Sequence, residues 1–313
     1  MRFVTYMSGK SAPARAGVVV GEHIHGDEAG VAMVDLLGDL EAAGRRLISR
    51  PAEVVELGAV ELGVPIGTPP SIRDFSAFET HFRTMGRGRP IPEDWYEMPI
   101  FYFSNPAAAC GPDEEIAVPP GCSDFDYEIE LAAVIGRPGH NLTPREGEAH
   151  IAGYMVMCDW SARDIQRREM PMSFGPAKGK DGATSFSGML VTPDELEPFR
   201  VGIGFNLAVT VAVNGRTYTD TNFEGIYWSF GEMISYASRG AKVVPGDVIG
   251  SGTVGTGCIA ELSIAHGNDA YPWLVPGDRV RLEIEHVGAI AASIVTGKGL
   301  VPLHRKSAAS PGG

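Results

Sequence analysis

The chain is short of positive charge. Its 313 residues carry 26 Lys and Arg against 39 Asp and Glu, a formal net charge of −13. That disfavours a nucleic-acid binder, which needs a basic face. An acidic protein can still take an anion where a metal ion or a local arginine cluster reverses the field. Long apolar runs are also lacking: none reaches the ~18 residues of a membrane span. The N-terminus MRFVTYMSGK has no apolar core followed by a cleavage site, so no signal peptide is expected. Cysteine is scarce. Cys110, Cys122, Cys158 and Cys258 form no CxxC pair and read as reduced thiols of a cytoplasmic protein. Repeats and heptads are absent. Glycine (40) and proline (23) are plentiful, and they punctuate many short β-rich runs. The composition therefore points to a turn-rich, strand-dominated fold.

Along the chain, RFVTYM and AGVVVGEHI read as strands, with HGDEAG as a turn. VAMVDLLGDLEAAGRRLI has helical spacing, with Val34, Leu37 and Leu40 on one face. The Gly/Pro-rich GVPIGTPPS is a candidate boundary, which makes residues 1–65 a small N-terminal domain. IRDFSAFETHFRTM reads as a short amphipathic helix grouping Phe75, Phe78 and Phe82. EMPIFYFSN and DYEIELAAVIG read as strands, the second entering a core. Thr143-Pro144-Arg145-Glu146 has the capping-box pattern of a helix start. LAVTVAVNGRTYTDTNF is a hairpin turning at Asn214-Gly215, and FGEMISYAS is a helix. The tail 306–313 is expected to be disordered.

Chemistry concentrates in a few places. Asp126, Glu128 and Glu130 alternate along one strand and so share a face. Two readings are open for them: a solvated face, or oxygen ligands for a hard divalent cation at the mouth of a core strand. Asp74 and His81 lie seven residues apart. Asp159 ends the apolar run GYMVMC, and the polar segment after it places Arg163 and Gln166 at i and i+3 on one helical face.

Taken in order, these residues resemble the fumarylacetoacetate hydrolase family over roughly residues 70 to 300. The motifs are D-x₆-H (Asp74, His81), E-x-E (Glu128, Glu130), D-W-S-A-R-D-x-Q (Asp159 to Gln166), a lysine in Lys178-Gly-Lys-Asp181, and Gly252-Thr253 in a glycine loop. WYEMPIFYF is similar to the segment that follows the histidine in that family. The resemblance implies a mainly β (α+β) fold, a mixed β-roll or β-sandwich with short helices over residues 66–305. It implies Asp74, Glu128, Glu130 and Asp159 as ligands of Mg²⁺ or Ca²⁺, with Mn²⁺ also suitable, and no organic cofactor. It implies His81 as the base and Arg163, Gln166 and a lysine as catalytic partners. Tyr102, Gly252 and Thr253 would lie around the substrate. K-x-x-D spacing selects Lys178 over Lys180, and one of Arg87 and Arg89 would be a further substrate arginine. The implied activity is metal-dependent cleavage of a carbon–carbon bond in a small anionic β-diketo acid, by a homodimer with no nucleic-acid or membrane partner. An isomerase or decarboxylase of 2-oxo acids, or a non-catalytic metal binder, is the alternative.

The chain departs from the pattern in places. Many small members carry H-x-x-E, but His81 is followed by Phe-Arg-Thr, and Glu79 stands on the wrong side of a helix. The acid that orients His81 is left unassigned. Cys158 replaces an asparagine found before the ligand aspartate. Gly250 to Gly255 fits G-x-G-x-x-G, but the following TGCIAELSIAHG reads as short and β-like, against a dinucleotide site. His23, His25, Asp27 and Glu28 read as a solvated polar turn.

Overall fold

The computed structural model describes residues 1–9 and 12–303; the tail 306–313 lies outside them. A 13-stranded sheet forms the frame. Its path runs Glu53–Glu56, His23–Gly26, Arg15–Val20, Arg2–Met7, Met189–Val191, Ile151–Asp159, Ile129–Ile135, Val248–Gly250, Ile72–Phe75, Phe101–Ser104. A second sheet of five strands contains Ala208–Val213, Arg216–Asn222, Arg279–Ile284, Gly288–Val295 and Glu115–Ala117. The fold is thus mainly β with short helices, as expected.

Two strands at the centre, Ile129–Ile135 and Ile151–Asp159, are buried at every position. Their continuous apolar runs follow from having both faces covered. Leu131, Ala133 and Ile135 enter one core with Val209, Val211, Leu282 and Ile290 of the second sheet. Ala132 and Val134 enter another, with Phe3, Val18, Leu40 and Leu47.

Residues 1–65 do not stand apart. Arg2–Met7 pairs with Met189–Val191, so the N-terminal strands continue the large sheet and share its second core. The expected boundary near 65 falls inside one hydrogen-bonded layer. Among the described residues, no helix is long and apolar enough to cross a membrane.

Two helical readings are corrected. The helix expected from residue 31 begins at Leu40 and ends at Ser49, after two short 3₁₀ turns. Asp39 caps it by accepting from the Ala42 amide, and Val34 is exposed. IRDFSAFETHFRTM divides into the strand Ile72–Phe75 and the helix Glu79–Met85. Asp74 and His81 therefore sit on different elements. The hairpin at Asn214-Gly215 turns through φ of 52° and 79°, the left-handed pair of a type I′ turn. Thr143 and Glu146 form the expected capping box.

Candidate active site

Three acids meet where neighbouring strands end. Asp74 lies on Ile72–Phe75, Glu130 on Ile129–Ile135, and Asp159 closes Ile151–Asp159. Val248–Gly250 runs between the first two, pairing Gly250 with both Asp74 and Ala132. A Cβ on Gly250 would sit 2.9 Å from Asp74 Oδ1 and 3.0 Å from Glu130 Oε2, so only glycine lets the carboxylates approach. Gly252 has φ +79°, and its amide donates to Glu130 Oε2 at 2.9 Å. A side chain there would also run into the Phe75 carbonyl.

Asp74, Glu130 and Asp159 each offer an oxygen within 4.8 Å of the others, and each is 1% exposed. The Tyr102 hydroxyl lies against Asp159 and donates to Asp74 Oδ2 at 2.8 Å. One proton cannot serve both acids. Oδ1 of Asp74 and Oδ1 of Asp159 have no hydrogen-bond partner among the described residues. Burial first, then the neighbouring carboxylates, pushes Glu130 far above the usual carboxylate range. Burial likewise raises Asp74, and it pushes Asp159 up to about 8 despite Lys180. Orphaned buried oxygens are costly and carboxylates in one dry site repel. A divalent cation removes both penalties, and an all-oxygen donor set suits a hard ion such as Mg²⁺, Mn²⁺ or Ca²⁺. The residues present therefore fit a divalent metal.

The fourth expected ligand, Glu128, faces elsewhere. Its Oε1 accepts from Arg163 Nη2 at 2.6 Å, and its Oε2 lies against Lys180 Nζ. Burial alone would raise this acid, but Arg163, Lys180 and His81 outweigh burial and hold it low. Arg163 is itself buried. Its Nε donates to Asp126 Oδ2 at 2.8 Å and its Nη1 to Gln166 Oε1 at 3.2 Å. Asp126 also accepts from the Ile259 and Ala260 amides. Asp126 thus braces Arg163 and stands outside the three-acid group.

The lysine in the site is Lys180, a correction to the expected Lys178. Lys178 is exposed and pairs with Asp181. Lys180 is 3% exposed, and its Nζ lies against both Glu128 and Asp159. The loop before it is clasped by Glu169, whose carboxylate accepts the Ala177, Lys178 and Gly179 amides. Gly179 packs on Gln166, where a Cβ would approach its backbone to 2.9 Å or less. That close approach turns the next residue inward.

His81, on the helix Glu79–Met85, faces this cluster. Its Nε2 lies 3.9 Å from Glu128 Oε1, and its Nδ1 lies 2.9 Å from Oε2 of Glu261. Glu261 is 2% exposed and belongs to the helix Ile259–His266, inside the segment expected to be β-like. It is the acid that sequence reasoning left unassigned. Glu79, by contrast, takes Arg83 and Tyr96 on the surface. A carboxylate beside Nδ1 favours the tautomer that leaves the Nε2 lone pair free. The one signal for Glu261 in the sequence was an acid alone in an apolar run, CIAELSI.

These groups line one end of a cavity of about 590 Å³. Thr253, Gly252, Tyr102 and Gln166 also border it, with Phe82, Met85, Pro90, Ile100 and Met170 as apolar lining and Arg89 as a further cation. Of the two candidate substrate arginines, Arg89 lines the cavity. The other expected motifs carry no such cluster. His23 and His25 lie on a sheet strand, and Asp27 is held by Arg46. The strand before Gly250 has three residues and its glycine loop packs on the acids, so it is no phosphate cradle.

A sequence model of the family "Fumarylacetoacetate (FAA) hydrolase C-terminal" matches residues 71–295. Fumarylacetoacetase of Oryza sativa subsp. japonica is 27% identical over 288 residues, covering 73% of this chain and 66% of that protein. The mitochondrial oxaloacetate tautomerase FAHD2A of Homo sapiens is 31% identical over 207 residues, covering 66% of this chain and 60% of that protein. The chain therefore spans less than two thirds of the length of these relatives. Among solved structures, maleylpyruvate hydrolase of Sphingobium sp. SYK-6, in complex with manganese(II) and pyruvate, superposes with a TM-score of 0.70 at 22% identity. It covers 95% of this chain and 100% of that one, a likeness of fold. With the family match spanning most of the chain and the acid cluster in place, this protein belongs to the fumarylacetoacetate hydrolase family.

Proposed function

We propose that the protein hydrolyses a carbon–carbon bond in a small anionic β-diketo acid of the acylpyruvate, fumarylpyruvate or fumarylacetoacetate kind. The observation that carries this reading is the His81–Glu261 pair, 2.9 Å apart, with His81 on the cavity that Asp74 and Glu130 also line. Hydrolysis needs a base that can deprotonate water, and a base needs an orienting group. A divalent ion held by Asp74, Glu130 and Asp159 would supply Lewis acidity that polarises the dicarbonyl. The kinship with fumarylacetoacetase and the fold of a maleylpyruvate hydrolase bound to manganese and pyruvate support the same chemistry.

The chain's own residues then divide the work. His81 Nε2 takes a proton from water as the water oxygen bonds to the carbonyl carbon. Lys180 and Gln166 stand where they can donate to the oxyanion that forms. The adjacent carbon–carbon bond breaks, its electron pair stays on the departing carbon, and that carbon takes the proton. Glu261 stabilises the imidazolium in between. Arg163, braced by Asp126, keeps Glu128 ionised.

A second reading is tautomerisation of a 2-oxo acid, favoured by the 31% identity to an oxaloacetate tautomerase. It requires proton shuttling but no attacking water. The two separate in one experiment. Loss of diketo-acid absorbance and enol–keto interconversion of oxaloacetate are followed for wild type, His81→Ala and Glu261→Gln with Mg²⁺ or Mn²⁺. Both variants should lose about 10²–10⁴-fold in cleavage turnover, as for a removed general base, while still binding metal. Tautomerisation without any cleavage product in the wild type would overturn the hydrolase reading.

A further inference from the structure

We propose that His81, Cys258 and Glu261 form a second metal site, suited to a borderline or soft divalent ion such as Zn²⁺, beside the all-oxygen site. A ring nitrogen, a sulfur and a carboxylate oxygen from these residues lie within 4.8 Å of one another. Cys258 Sγ is 3.7 Å from Glu261 Oε2, and His81 Nδ1 is 2.9 Å from that same oxygen. Zinc bonds of about 2.0–2.3 Å in a tetrahedron place ligand atoms roughly 3.3–3.8 Å apart; the sulfur–oxygen distance already fits, and the nitrogen–oxygen pair need only open by a few tenths of an ångström.

A second observation points to a ligand here. Glu261 Oε1 is buried with no hydrogen-bond partner among the described residues. His81 Nδ1 faces the other oxygen, Oε2, at 2.9 Å. Glu261 is 2% exposed and Cys258 is 0% exposed. An unsatisfied carboxylate oxygen in a buried corner, on a residue that also meets an imidazole nitrogen and a thiol, is what an absent ion would leave. The corner is reachable, because His81 borders the cavity, which can also supply a water as fourth ligand.

Donor chemistry sorts ions between the two sites. Carboxylates alone favour Mg²⁺ and Mn²⁺; a sulfur–nitrogen–oxygen set favours Zn²⁺ and Co²⁺. Binding releases the Cys258 thiol proton to solvent as the sulfur–metal bond forms. It also disables His81. A neutral imidazole has one lone pair, and if Nδ1 gives its pair to the ion, Nε2 must carry the proton and cannot accept another. The second site would thus switch the base off while leaving the carboxylate site filled.

Cobalt(II) tests this without any assay of turnover, so the outcome does not depend on which reaction the enzyme runs. The full-length protein is dialysed against excess Co²⁺, the ions per chain are counted by elemental analysis, and the near-ultraviolet spectrum is recorded. Two ions per chain and a thiolate-to-cobalt charge-transfer band are expected for wild type. Cys258→Ala should bind one ion and lose the band; Glu130→Gln should keep the band. One ion per chain in the wild type, two ions without the band, or a band that survives in Cys258→Ala would overturn the proposal. The wild-type measurement alone decides if a variant fails to fold.

Discussion

Lys178 and Lys180 differ by two positions and by everything that matters physically. Lys178 makes an exposed pair with Asp181, of the kind worth under about 1 kcal/mol. Lys178→Ala should leave kcat/KM and melting temperature essentially unchanged. Lys180 is the cation between Glu128 and Asp159, and removing one partner of a buried ion pair costs about 3–5 kcal/mol. Lys180→Met should lower the melting temperature of the metal-free protein and reduce turnover by 10²-fold or more, about 2.7 kcal/mol in the transition state. Equal behaviour of the two variants would remove Lys180 from the site. The choice was not legible in the sequence. K-x-x-D spacing describes a surface i,i+3 pair, and it does form, but as a surface pair. What turns Lys180 inward is Glu169 clasping the loop amides, a contact the lysine segment does not encode. The acids were legible through the order of motifs that carries the resemblance; their strand alone left a solvated face and a cation site both open.

Glu130 offers a sharper test. Without metal it is a surplus acid, and burial and its carboxylate neighbours push it far above the usual carboxylate range, against the charged form. Glu130→Gln should therefore cost the metal-free protein little. With metal the order reverses. The wild type gains RT ln(1 + [L]/Kd), about 2.7 kcal/mol at a hundredfold excess over Kd, and the variant loses most of that gain. Thermal melts with and without Mn²⁺ should diverge between the two proteins. Equal metal-induced stabilisation would exclude Glu130 as a ligand.

At the scale of elements, strands were read more securely than helices. DYEIELAAVIG reads as a strand entering a core, and Ile129–Ile135 is that strand, its short length and flanking turn residues arbitrating where periodicity alone does not. The segment from 72 to 85 misled because Phe75, Phe78 and Phe82 have helical spacing, yet Phe75 belongs to a strand. Ile259–His266 misled for the opposite reason. Ile259 to Leu262 are all buried, so no polar stripe marks a helical period, and Glu261 was overlooked with its helix. The helix Leu40–Ser49 supplies a testable contact. Arg46 grips Asp27 with both nitrogens, one at 3.0 Å, and the Arg46 hydrogen bond holds the Asp27 carboxyl below its ordinary 3.8. Arg46 is half exposed, which discounts the pair to about 1 kcal/mol. A group with a depressed folded pKa stabilises above its unfolded value and loses that contribution as pH falls through the folded one. Asp27→Asn should therefore destabilise at pH 7 by about 1 kcal/mol and match wild type at pH well below 3.8. A deficit that persists in acid would mean the contact works by shape alone.

For the whole molecule, a strand-dominated fold was legible in the glycine, proline and short apolar runs, and its β-roll form in the resemblance, while the junction near residue 65 hid a continuous sheet. Turn residues mark where strands end, not which strands pair. One edge of that sheet is Phe101–Ser104, with Ile100 52% and Phe103 65% exposed. Bare apolar edges invite pairing. The homodimer implied by the resemblance would cover it, and light scattering should give a mass of two chains. Phe103→Lys should shift that mass toward one chain. A monomeric wild type would refute the dimer.

The strand Val248–Gly250 has a consequence for how the protein is made. It is the piece that joins the strand of Asp74 to the strand of Glu130 within the sheet. Those two are synthesised before the joining strand is. A chain released before Gly250 would hold every acid of the cluster, but nothing would join the strand of Asp74 to the paired strands of Glu130 and Asp159. Capture of an ion by all three acids therefore waits until Gly250 has been made, and chains ending before it cannot complete this cluster.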